Sequence, residues 1–162
     1  MRIDVLDERI SAAMRRHGVD ALRYALALIF IWFGLLKPLG LSPAAPLVLQ
    51  TVDWMPVFSA QTWLAIIGWW EVAIGACFFF RPALRIAIGL LALQMAGTFM
   101  PLVILPSVTF QEGRFPYALT MEGQYIVKNL LIIAAAMVVG GTVRPAHAKP
   151  SARHARTRAH AV

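Results

Sequence analysis

Apolar residues along this chain gather in long uninterrupted blocks instead of alternating with polar ones. Four blocks of roughly 20 residues stand out, at about 21–39, 61–80, 83–105 and 123–141. That length lets a helix cross the hydrocarbon core of a bilayer. The pattern predicts an all-α protein: a four-transmembrane-helix bundle in one membrane domain, residues 20–141. Residues 1–19 form a cytoplasmic amphipathic segment, and 142–162 a basic disordered tail. The first block is too long for a signal-peptide core and ends in Lys37-Pro38, without a small-residue cleavage site.

The polar positions between the blocks refine this picture. Within residues 1–19, Leu6, Ile10 and Ala13/Met14 recur at helical spacing, and Arg2, Arg9 and Arg16 can reach lipid headgroups. Gly18 is expected to break this short helix, with Asp20 capping the first membrane helix. The segment 40–60 is too apolar for an ordinary loop. Ser42-Pro43 can start a short interfacial or re-entrant helix over Ala44–Val52, stopped by Trp54-Met55-Pro56. Trp54 and Trp63 suit the headgroup level, as do Phe110, Phe115 and Tyr117 in the second outer loop. Pro101 should bend the third span by removing a backbone donor.

Composition agrees with a membrane assignment. The chain of 162 residues is 59% hydrophobic and 14% charged, against about 25% charged in soluble domains. The net charge of +7 does not point to nucleic acid, because of where the basic residues lie. Arg2, Arg9, Arg15, Arg16 and Arg23 lie at or before the start of the first span, Arg81 and Arg85 flank the turn between the second and third, and Arg144, Lys149, Arg153, Arg156 and Arg158 follow the fourth. Arg114 alone lies in a loop on the other side. The positive-inside rule then puts both termini and the Arg81 turn in the cytoplasm. The lipid bilayer is the expected partner.

Three ionisable residues interrupt the apolar blocks: Lys37, Glu71 and Lys128. Each costs roughly 2.5–3.5 kcal/mol to insert, so they are expected to face one another or a wet cavity. Gly68 and Gly75 share a helix face with Glu71 and would admit a neighbouring helix. Gln94, Thr98 and Gln124 could complete a polar pocket for a ligand or a proton, with Tyr125 and Asn129 at its border. The same pair of charges could serve only to fix helix register.

Other chemistry is disfavoured. Cys77 is the single cysteine, so one chain cannot run a dithiol relay. His17, His147, His154 and His160 all lie outside the bundle, leaving no internal pair to ligate a haem, and no metal site is expected. Neither a phosphate-binding glycine loop nor a nucleophile set is apparent. No catalytic residues are assigned, and a self-contained redox enzyme is not expected.

Three stretches, Leu28–Gly40 (LIFIWFGLLKPLG), Trp69–Phe80 (WWEVAIGACFFF) and Gly123–Val139 (GQYIVKNLLIIAAAMVV), resemble the DoxX family of small bacterial four-helix membrane proteins. The resemblance implies a bacterial inner membrane location and a place in redox or oxidative-stress assemblies, including thiosulfate oxidation coupled to quinone. The family's lysine, glutamate and lysine would correspond to Lys37, Glu71 and Lys128. Its Lys-Asp motif reads Lys128-Asn129 here, which leaves Glu71 as the sole acid in the site. The leading expectation is a non-catalytic membrane subunit of an oxidoreductase assembly. It would bind a quinone-like or anionic small molecule, or dock a redox protein partner. The alternatives are a small transporter or proton-coupled exporter, which would need a homo-oligomer, and a membrane scaffold or assembly factor.

Overall fold

Glycines decide how the first two spans meet. In the computed structural model, which describes residues 2–143, α1 (Arg2–Leu36) and α3 (Ala60–Phe79) pack along a seam of small residues. A methyl group on Gly68 would lie 2.8 Å from the carbonyl oxygen of Gly34, and one on Gly75 only 2.6 Å from that of Ala27. Neither position has room for a side chain. Backbones that approach this closely gain dispersion contacts, which drive helix association where lipid removes the hydrophobic term.

The remaining elements are α2 (Ala45–Val52), a 3-10 turn (Arg81–Ala83), α4 (Leu84–Phe99), α5 (Pro101–Ile104), α6 (Pro106–Thr109), α7 (Met121–Val127) and α8 (Asn129–Gly140). Among the described residues, four segments are long and apolar enough to cross a membrane: Val5–Leu36, Ala60–Phe79, Arg81–Ile104 and Met121–Gly140. The chain is thus an all-helical membrane protein built as a four-helix bundle. Its core joins Ala27 and Phe30 of α1, Ile74 and Phe78 of α3, Ala87 and Leu91 of α4, and Ala136 and Val139 of α8. Leu28, Trp32, Leu93, Leu131 and Met137 are exposed around the outside, which in a bilayer is the lipid face.

Several local expectations change. Gly18 does not break the first helix, and Asp20 does not cap it. α1 runs unbroken for 35 residues, so the amphipathic lead-in and the first span are one rod. A single glycine costs a helix about 1 kcal/mol, too little to stop a helix anchored by a packed span. The cap of α2 is Ala44, with Pro46 in its first turn, instead of Ser42-Pro43. The third span is interrupted next to Pro101, as expected: the Met100 amide reaches back to Gly97 O at 3.2 Å, and Pro101 starts α5. The fourth span is also interrupted, at Lys128 between α7 and α8. The tail from Arg144 to Val162 lies outside the described residues.

Between α6 and α7 the chain forms a small closed cap. Phe110 and Leu119 make an isolated antiparallel bridge, and the Phe110 and Phe115 rings meet edge-on at 4.9 Å. Thr120 ties the cap to the bundle, donating its hydroxyl to Val108 O at 2.7 Å and accepting the Gly123 amide.

Candidate functional site

Glu71 lies near the middle of α3, about eleven residues from its start, which is roughly 16 Å along the axis. Gly68 one turn earlier draws α1 close, and Lys37 follows the last residue of α1. The Lys37 ammonium donates to Glu71 Oε2 as a salt-bridged hydrogen bond. From the other side, Gln94 of α4 donates its amide to Glu71 Oε1 at 2.9 Å. Both carboxylate oxygens therefore have a donor, and the two donors come from different spans. The Lys37 and Glu71 side chains are 7% and 13% exposed. Such a pair must be hydrogen-bonded as well as charge-matched to offset its desolvation.

Neighbours hold this cluster in place. Trp70, next to Glu71, donates its indole N–H to Leu90 O of α4 at 3.3 Å, a second tie between α3 and α4. The Thr98 hydroxyl, one turn beyond Gln94, donates to Gln94 O at 3.0 Å, so it is committed to its own helix. Lys37, Glu71 and Gln94 thus meet, with Thr98 adjacent.

Gln124 and Lys128 do not join them. Both are exposed, and the Lys128 ammonium lies 5.2 Å from the centre of the Tyr125 ring, a cation–π distance. The expected Glu71–Lys128 pairing is therefore not what the structure shows. The reason is local. The helix breaks at Lys128, and Asn129 donates its side-chain amide to Tyr125 O and Ile126 O at 3.0 and 3.1 Å. Asn129 satisfies carbonyls freed by the break, and its side-chain hydrogen bonds stay within its own segment.

Two hollows, of about 660 and 620 Å³, open at the Lys37 end of the bundle. One is lined by the cap, including Phe110, Glu112 and Phe115; the other lies between Asp53 of the α2–α3 loop, Gln61 and Leu105. Neither is lined by Lys37 or Glu71. No group of three or more His, Cys, Asp or Glu side chains able to hold a metal is present among the described residues.

A second ionic cluster, unremarked in the sequence, closes the opposite end. Arg23 of α1 is 4% exposed and donates Nη1 to Phe78 O and Phe79 O, at 2.9 and 2.7 Å. These are terminal carbonyls of α3, left without helical partners, and a cation belongs at that end of a helix. Arg23 Nε lies 3.5 Å from Asp20 Oδ1, and Arg81 binds both oxygens of Asp20 at 2.7 and 2.9 Å. The only sequence signal was the i, i+3 spacing of Asp20 and Arg23 on one helix face.

The first cluster can hold a hydrogen-bond acceptor against two donors, or relay charge through one carboxylate. The second fixes the helix ends, and its Arg23 Nε, which has no hydrogen-bond partner among the described residues, lies 3.5 Å from the Asp20 carboxylate. No family model matches the chain, and no curated protein or solved structure matches it either.

Proposed function

We propose that this chain is a non-catalytic membrane subunit of a redox or oxidative-stress assembly. Its Lys37–Glu71–Gln94 cluster receives the polar head of a quinone-like or anionic small molecule. The membrane is the bacterial inner membrane, with the Arg81 turn and both termini cytoplasmic, following the placement of basic residues. The redox setting is supported by the DoxX resemblance in the three stretches around Lys37, Glu71 and Lys128. The ligand site is carried by one observation: donors from two other spans converge on a single buried carboxylate. A quinone carbonyl or an anion is an acceptor too. It would bind by replacing Glu71 at the Lys37 ammonium or the Gln94 amide, in surroundings where such bonds are strong.

The test is binding of a short-chain ubiquinone to the purified full chain, read by tryptophan quenching. Gln94→Leu should weaken binding about tenfold, the equivalent of one hydrogen bond of about 1.4 kcal/mol, with expression unchanged. Equal affinity in both proteins rejects the ligand site. Gentle extraction that brings down a redox protein supports the assembly, and a chain recovered alone counts against it.

A second reading, a scaffold in which the cluster only joins helices, is favoured by the fact that both Glu71 oxygens are already satisfied. It expects Gln94→Leu to lower the yield of folded protein and quinone to bind neither form.

A further inference from the structure

Two of the four spans are interrupted, and the interruptions stand at one level. A methyl group on Gly140 of α8 would lie 2.9 Å from the Ile88 side chain of α4, so these residues face each other. Consecutive spans run in opposite directions. Twelve residues toward the Lys37 end, about 18 Å, therefore bring α4 from Ile88 to Met100 and α8 from Gly140 to Lys128. Those are the residues at which α4 gives way to α5 and α7 to α8. Residues 101–127 are thus joined to the bundle at two breaks lying side by side.

The segment between the breaks holds itself together. The Thr120 amide donates to Thr109 O at 3.0 Å, and a methyl group on Gly123 would fall 2.1 Å from that same oxygen. The backbones of α6 and α7 are therefore in contact. The side chains of Thr109, Gln111 and Thr120 donate to Leu105 O, Leu119 O and Val108 O, all inside the segment. A closed unit on two aligned breaks has the construction of a hinged body.

It has room to move and something to cover. The hollow of about 620 Å³ separates its Leu105 from the α2–α3 corner at Gln50, Asp53 and Gln61. On its other flank, Pro101 follows Gln94 by seven residues, two turns along one face, with Thr98 between them. Pro101 is buried, so the first residue of the segment blocks the outward route along α4 from the Glu71 cluster.

One donor at this level is left over. Trp63 Nε1 is buried with no acceptor among the described residues. It stands seven residues outward from Trp70, whose indole donates to Leu90 O. By the same register Trp63 comes level with Gly97, whose carbonyl is taken by the Met100 amide. An unpaired buried donor is costly, and resetting this joint can relieve it.

We propose that residues 101–127 are a lid that swings as one body about Met100 and Lys128, closing into the hollow and uncovering Gln94. Its use as a gate for a ligand rests on the reading of the Glu71 cluster given above; the swing does not.

Thiol labelling of the full chain in native membranes tests the swing. In a Cys77→Ala background, Thr98→Cys should react with a charged methanethiosulfonate. Trp63→Phe, which removes the unpaired donor and so favours the closed setting, should slow that reaction at least threefold. Asn129→Ala, which unties the second joint from Tyr125 O and Ile126 O, should speed it at least threefold. Ser107→Cys, exposed on the lid itself, should react at one rate in all three backgrounds. The proposal is overturned by an unreactive Thr98→Cys, by equal rates, or by a rate that rises with Trp63→Phe. A matching change at Ser107→Cys overturns it too, because the segment then unfolds instead of swinging. Amide exchange gives a second reading without substitutions. The joint amides of Met100 and Lys128 should exchange at least tenfold faster than those of Thr109 and Thr120 inside the lid, and the reverse order rejects a rigid body. Neither measurement uses quinone, so failure of the lid and failure of the ligand site are separate results.

Discussion

The α1–α3 pair is locked by an ionic cluster at each end, and the two locks work differently. At the Lys37 end, side chain meets side chain between packed helices: Lys37 and Gln94 both serve Glu71. At the Arg81 end, the buried Arg23 serves backbone, taking the last carbonyls of α3, while Asp20 and Arg81 complete the cluster at 38% and 69% exposure. The first lock places a removable acceptor among donors, which is what a ligand site needs. The second uses its buried cation to finish a helix. Burial alone does not separate them, since Lys37 and Arg23 are equally enclosed. What separates them is whether the acceptor is a side chain that can be displaced or a carbonyl that cannot.

Removing Glu71 should have the largest effect. Glu71→Leu leaves the Lys37 ammonium buried without an anion, and breaking such a pair costs about 3–5 kcal/mol. Adding Lys37→Met should restore most of that loss, because apolar replacement of a whole buried pair is often close to neutral. Thermal unfolding in detergent, followed by circular dichroism, reads both. A double variant as unstable as Glu71→Leu would mean the lock is not a mutual neutralisation. At the other end, Arg23→Leu should cost less, about 2 kcal/mol, the range for hydrogen bonds to a charged group. Its two hydrogen-bond acceptors are main-chain carbonyls, which no second substitution can replace, and its ion-pair neighbour Asp20 keeps Arg81 as a partner. A partner variant that did restore stability would erase the distinction between the two locks.

Much of the first lock is legible in the sequence because its signals are local. A carboxylate inside an apolar run has to point inward, and glycines one turn to either side mark where a helix approaches. Lys37 ends the neighbouring span, so its stem reaches the same level. Lys128 carries the same apparent signal but lies elsewhere, since it sits at a helix break that periodicity does not reveal. Asn129 reads as a lost carboxylate and acts instead as a local donor to freed carbonyls. Arg23 is hidden for another reason: it is one of several arginines near a span end, and its acceptors are backbone atoms 55 and 56 residues away. Gly18 and Asp20 resemble a helix boundary by propensity, yet the packed span carries the helix through both.

The smallest effect belongs to the exposed half of the second lock. Arg81 is 69% exposed, so water screens its two contacts with Asp20. Pairs of this kind contribute about 0.2–1 kcal/mol, and Arg81→Ala should fall within that range. Its salt dependence is the more telling measurement. The Debye length falls from about 10 Å at 0.1 M to about 3 Å at 1 M salt, which should shrink the difference between Arg81→Ala and the parent protein. The deficit of Glu71→Leu should persist, because the Lys37 and Glu71 side chains are only 7% and 13% exposed. If high salt reduced both deficits alike, the Lys37 end would be reached by solvent, and the contrast between a dry lock and a wet one would fail.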